Sequence, residues 1–501
     1  MTDDLLLRNA RLVGRDGEPT DVLIEDGAVS AIASGIAAGT AEAVDLEGRF
    51  LQPGLWDNHV HMEQWALVRQ RLDVSGAASA REAAALVQAR LASEVPGDRD
   101  LLVGYGFQDA LWNDEPTRAL LDGAGASPIV LVSHDLHAVW ANTAGLALVG
   151  LPGHPTGLLR EQEAFDASTT ITGIDSSRID EWVGDAARAA AARGVVGIVD
   201  LEMTLSFEAW ARRVSQGVDS LRVRAGVYPR DLDAVIGSGL RTGDEIGGCA
   251  GLVTVGPAKI ITDGSLNTRT AFCHDPYPGL AGRPGANGVS VFIRAELVEL
   301  MTRASSAGFD LAVHAIGDRA NTDVLDAYET IGARGSIEHA QLLTTADVAR
   351  FARLGVVASV QPEHAMDDRD VAEVYWEGRT GRAFPLESLA AAGVVLRLGS
   401  DAPVAPLDPW IALDAAVTRS RGGRDPWHPE QRLARAVALA ASTGGSGPSR
   451  SGAGAGSVGV ALGDRADLAV VDADPLAETT SLRSMSVAAT LLAGRFTHRA
   501  L

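Results

Sequence analysis

Short apolar runs and amphipathic stretches alternate along most of this chain. Between about residues 51 and 440, eight β-rich segments stand out: FLQPGLWDNHVH, GVVGIVD (194–200), LRVRAGVY (221–228), TVGPAKIITDG (254–264), DLAVHAIGD (310–318), GSIEHA (335–340), VVASVQP (356–362) and VVLRLGSDAP (394–403). Near-continuous apolar runs of this length suit strands buried on both faces. Ala-rich stretches with helical spacing, such as SSRIDEWVGDAARAAAAR and AELVELMTRASSAG, lie between several of them. Strand then helix, eight times over, predicts an α/β chain folded as a closed (β/α)8 TIM barrel.

The two ends have a different texture. DLLLRNARLV, TDVLIEDGAVSAIA with its Asp26-Gly27 turn, and AEAVDLEGRF read as hairpins, and RADLAVVDADP and MSVAATLLAGRFTHRA repeat the pattern near the far end. These segments predict a small β-sandwich built from both termini, 1–52 with 441–501, and a barrel over 53–440. Roughly 130 residues separate the first and second barrel strands, far beyond an ordinary connection, so an inserted subdomain is expected at about 65–190. The Gly/Ser-rich stretch 442–459 reads as a flexible link back to the sandwich.

Composition narrows the function. The net charge of −22 repels phosphate backbones and anionic lipid, which argues against a nucleic-acid or membrane partner and leaves a small-molecule substrate. Two isolated cysteines, Cys249 and Cys273, exclude a disulfide scaffold and every CxxC zinc site. The opening MTDDLLLRNARLVGRDG is acidic rather than basic-then-apolar, unlike a signal peptide, and no apolar run is long enough to span a bilayer. The cytoplasm is the expected location, and a homodimer the default assembly.

Lysine is nearly absent: Lys259 stands alone among 43 basic residues. It falls in the fourth barrel strand. His59 and His61, two apart at the end of the first strand, share one face. His314 ends the fifth strand, His339 the sixth and Asp401 the eighth. Barrel enzymes work at the C-terminal ends of their strands, so six titratable groups converge on one rim. Imidazole and carboxylate donors without thiolate suit Zn, Mn, Fe or Co.

The segments PGLWDNHVHM, KIITDGSLNTRTA, AVHAIGDRAN, IEHAQ, SVQPEHA and GSDAPVAPLDP together resemble the amidohydrolase superfamily, and within it the YtcJ-like (amidohydrolase 3) family. GYGFQDALWNDEPTRALLD and LVSHDLHAVWANTAGLALVGL in the insert resemble that family's segments as well. The resemblance implies two divalent metal ions, zinc first among them. His59 and His61 match the ligands of the more buried ion, and His314 and His339 those of the more exposed one. Lys259 matches a lysine carboxylated to a bridging carbamate. Asp401 matches the aspartate that touches metal and moves the proton. One departure is Asn267-Thr268, where the family has Gly-Ser, in a loop expected to face substrate.

A hydroxide held between two cations is a nucleophile at neutral pH, and Asp401 would act as general base and then general acid. The expected reaction is hydrolysis of an amide, formamide-like or cyclic amide C–N bond. The alternatives are a mononuclear deaminase on the same fold and a non-catalytic scaffold. The deaminase lacks its expected Glu in AVHAIGD, and the scaffold would show missing ligands, of which there are none. Five further residues are substrate-binding candidates. Arg269 either clamps a carboxylate or forms a structural ion pair, and Asp263 either touches substrate or holds its turn. Trp112 and His137 either line the pocket or, for the tryptophan, pack inside the insert. His364 is the best pocket candidate that is not a ligand.

Overall fold

The computed structural model describes residues 4–92, 101–107, 109, 112–133, 138–160, 162–171, 176–444 and 458–501. Two compact units divide the chain, Met1–Met62 with Ala187–Leu501, and Glu63–Ala186. Among the described residues, no helix is long and apolar enough to cross a membrane.

In the first unit, all eight expected barrel strands form. They are Leu55–Val60, Val195–Asp200, Arg222–Val227, Val253–Ile261, Leu311–Ala315, Gly335–His339, Val357–Val360 and Leu396–Leu398. Each pairs in parallel with its predecessor, and they make one sheet in chain order. The eighth strand returns to the first through a parallel bridge, Val60 to Ala402, and a hydrogen bond from Asn58 Nδ2 to Leu398 O of 2.9 Å. Gly399 makes this closure possible. A Cβ there would lie 2.8 Å from His59 N and 2.9 Å from His59 Cβ, so only glycine lets the two strand ends meet. The sequence reading overextends several strands: Ser400 and Asp401 lie on the loop beyond Leu398.

The segment FLQPGLWDNHVH is two strands rather than one. Phe50–Pro53 runs antiparallel to Leu468–Val471 in a second sheet, and Leu55–Val60 opens the barrel. Gly54 is the junction. Its N–H bonds Asp467 O at 2.9 Å, and a Cβ there would sit 2.2 Å from Val196 Cγ1.

That second sheet mixes both chain ends in the order Arg495–Arg499, Val487–Leu492, Leu468–Val471, Phe50–Pro53, Leu5–Leu12, Thr20–Glu25, Ala28–Ala33. The strand Leu5–Leu12 is irregular between Leu7 and Ala10, with Asn9 at φ 56°, and serves both halves. Glu42–Asp45 pairs parallel to it instead of closing a hairpin. Leu5, Leu7, Val22 and Ile24 from one half share a core with Leu51, Leu468, Val470 and Leu491 from the other. At about 1.5–3 kcal/mol per fully buried aliphatic side chain, this burial binds the chain ends into one β-domain.

The second unit has its own five-stranded sheet, in the order Leu158–Arg160, Ala138–Ala141, Ile129–Ser133, Leu102–Phe107, Leu72–Asp73. Its core gathers Val87, Phe107, Leu131 and Trp140 with Trp112 packed against them. Residues 445–457 of the expected link lie outside the described residues.

Candidate metal centre

The first strand delivers His59 and His61 to one place. His59 is 1% exposed, and its Nε2 lies 3.3 Å from Asp401 Oδ1 and 3.4 Å from Lys259 Nζ. His61 Nε2 also lies 3.3 Å from Asp401 Oδ1. The His339 ring is 4.9 Å from that of His59 and 4.4 Å from that of His314. All six sequence-predicted ligands therefore meet. The donor atoms of His59, His339 and Asp401 lie within 4.8 Å of one another.

Two groups invisible to the motif reading decide how these imidazoles are presented. Glu338 Oε2 accepts from His59 Nδ1 at 2.7 Å, and Gln361 Oε1 accepts from His339 Nδ1 at 2.9 Å. With the proton fixed on Nδ1, the Nε2 lone pair of each ring is left for a metal. Glu338 escaped notice because neighbours on a strand face opposite sides: a reading that turns His339 inward sends Glu338 outward. In the structure Glu338 points inward with Ser336, whose Oγ bonds it. His339 instead reaches the centre through a left-handed backbone, φ 77°, and Asp401 does so at φ 57°. Such conformations are costly for residues with a Cβ and gather at functional sites.

Electrostatics favours a cation. Burial, reinforced by Lys259, pushes His59 down to about 4 against the pull of Asp401 and Glu338. Burial, with help from His314, holds His339 well below its ordinary value. Burial opposes a proton on His61 too, but the bond to Asp401 together with the charges of Asp401 and Glu202 outweighs it and the value rises. Burial alone would raise Asp401, yet the surrounding histidines, His59 foremost, hold its carboxyl well below the carboxylate range. Lys259, 2% exposed, is lowered by burial despite Glu338 and Asp401. The imidazoles of His59 and His339, held neutral by burial, and the ionised Asp401 carboxylate, all buried and without thiolate, fit a divalent metal. A lysine that gives up its proton readily fits the carbamate the resemblance implies.

The remaining candidates separate. His364 is buried beside the centre, its Nε2 3.9 Å from Asp401 Oδ2. Asp263 holds its turn: its oxygens accept from the backbone N–H of Phe272 (2.8 Å), Ile316 (3.0 Å) and Gly317 (2.9 Å). His314 Nε2 lies 3.4 Å from the same carboxylate. Arg269 is exposed, its guanidinium 5.3 Å from the Tyr375 ring centre. Trp112 donates to Ala77 O at 3.0 Å and meets Trp140 edge-on in the core of the second unit. His137 lies outside the described residues.

A model of the amidohydrolase family matches residues 42–498. The chain is 26% identical to the putative amidohydrolase YtcJ of Bacillus subtilis (strain 168), over 81% of each sequence. It is 27% identical to the N-substituted formamide deformylase of Arthrobacter pascens, over 98% of this chain and 97% of that one. The crystal structure of an uncharacterized metal-dependent hydrolase from Pyrococcus horikoshii OT3 superposes with a TM-score of 0.79 at 25% identity, covering 96% of this chain and 99% of the other. A family match over most of the chain, on a barrel whose strand ends gather a donor set that could hold a metal, makes this protein a member of the amidohydrolase family of metal-dependent hydrolases.

Proposed function

We propose that the protein hydrolyses the C–N bond of an amide, formamide-like or cyclic amide small molecule. The observation that carries this reading is the shared position of Asp401. One of its oxygens lies 3.3 Å from both first-strand imidazoles, and the other lies 3.9 Å from His364. A carboxylate so placed, ionised and flanked by ligands, can take a proton from water and return it to a leaving nitrogen. His59 and His61 would hold one divalent ion, His314 and His339 a second, and Lys259, as a carbamate, would bridge them. When bound, such ions supply Lewis acidity, making water more acidic and a carbonyl more electrophilic. The relative named for N-substituted formamides, aligned over nearly all of both chains, supports the C–N class.

The test is a hydrolysis screen over N-formyl, N-acetyl and cyclic amides with Zn or Mn supplied, beside metal analysis. Turnover of an amide with about two ions per chain is expected, and Asp401→Asn should lose most of it while keeping substantial metal. Failure on every amide, with turnover of an ester or lactone, overturns the reaction class. One ion per chain with full activity overturns the paired site.

A further inference from the structure

His364 stands outside the ligand set but inside the same centre. It opens the helix His364–Tyr375 just beyond the seventh barrel strand, and it is 5% exposed. Its Nε2 is buried beside Asp401 and meets no hydrogen-bond partner in the protein. A buried polar nitrogen without a partner is costly to keep, unless a bound molecule completes it.

The other side of the ring shows which kind of partner is missing. Gln341 Nε2 lies 3.5 Å from His364 Nδ1. An amide that donates to Nδ1 leaves the single proton of a neutral imidazole on Nε2, so the open atom is a donor. The ring is also held in place. It lies within 14° of parallel to His339, with centres 6.3 Å apart. The preceding residue, Glu363, is buried and accepts from Arg483 at 2.7 and 3.2 Å and from Arg421 at 2.9 Å. A fixed N–H beside the carboxylate assigned to proton transfer is where an acyl substrate would place its oxygen.

We propose that His364 is a further catalytic residue, donating its Nε2–H to the oxygen of the scissile carbonyl. This rests on the C–N hydrolysis reading above. As water adds to the carbonyl carbon, the C=O electron pair moves onto oxygen and is held there by the N–H. When the C–N bond breaks, that pair returns to reform C=O, and the leaving nitrogen takes its proton from Asp401. His364 keeps its own proton throughout. A donor aimed at charge that grows in the transition state raises kcat more than it tightens substrate binding.

The test uses the metal-loaded full chain and three measurements: metal per chain, affinity for methylphosphonate, and kinetics on an amide that the wild type hydrolyses. Methylphosphonate is a tetrahedral anion that presents its charged oxygens where the carbonyl oxygen would lie. His364→Ala is expected to keep its metal, bind methylphosphonate at least about tenfold more weakly and lose about 10²–10³-fold in kcat with KM nearly unchanged. His364→Gln, which retains an N–H, should recover at least about tenfold of that kcat. Methylphosphonate affinity or kcat within about threefold of wild type in His364→Ala refutes the donor. So does a loss that follows loss of metal, which would make His364 a ligand. If the wild type hydrolyses no amide, the C–N reading fails by itself, and the methylphosphonate comparison still decides His364.

Discussion

Glu338 sits one hydrogen bond behind His59, a candidate metal ligand, and changing it should weaken metal binding in graded steps. Its Oε2 accepts from His59 Nδ1 at 2.7 Å, both groups being almost fully buried. Burial alone would raise the carboxyl, but the bond to His59 together with the charges of His59 and Lys259 outweighs it, so Glu338 is ionised and the bond is charge-assisted. A hydrogen bond to a charged group contributes about 1.5–3 kcal/mol net, against about 0.5–1.5 for a neutral one. Glu338→Gln keeps the shape and an acceptor, and so should lose about 1–1.5 kcal/mol, near tenfold in affinity. Glu338→Ala leaves the His59 N–H buried without a partner and frees the ring to adopt the other tautomer. Its cost should reach about 2–3 kcal/mol, near the upper end of the 10–100-fold typical for such supporting groups. Zinc titration of the metal-free proteins against a competing chelator reads both numbers, with thermal melts of the same samples as the folding control. If both variants bind zinc within about threefold of wild type at unchanged stability, Glu338 does not orient His59 and the reasoning fails.

Three further outcomes follow from the same geometry. Lys259→Arg should lose activity and the paired metal content as fully as Lys259→Ala, because guanidinium stays charged and cannot form a carbamate; an active Arg variant with two ions would remove the bridging role. Gly399→Ala drives a Cβ to 2.8 Å from His59 N and should destabilise the fold by about 1–3 kcal/mol while weakening zinc binding, so wild-type melting and wild-type metal affinity would contradict the closure argument. Asp368, on the helix that His364 opens, is pushed up by burial to about 6. Its folded value lies above its unfolded one, so ionisation costs stability as pH rises from about 4 to 6, and Asp368→Asn should gain on wild type across that window and hold the gain above it. Denaturant melts at pH 4.5 and pH 8 check this, and a difference independent of pH would refute it.

The sequence legibly carried the barrel. Runs such as VVGIVD and LAVHA are strand-forming from their own residues, and the turn signals and Ala-rich helices between them come from neighbours a few positions away. It carried the meeting of the candidate donors for a related reason. His59, His61, His314, His339 and Asp401 each sit at or just beyond the C-terminal end of a strand, and a parallel barrel brings those ends together whatever lies between. A lone lysine in the fourth strand marked itself by composition alone.

What the sequence could not carry were relations between distant residues and the backbone that realises them. Nothing near position 59 indicates that Glu338, 279 residues away, will fix its tautomer. Strand alternation even points Glu338 the wrong way, because His339 reaches the centre from left-handed backbone. The split of FLQPGLWDNHVH between two sheets and the meeting of strands one and eight at Gly399 likewise depend on what the chain packs against. Periodicity and propensity act over a few residues and determined the elements and the chemistry they carry. Register, ring orientation and burial arise only when far-apart segments share one interior, so tertiary structure alone decided how the centre is held.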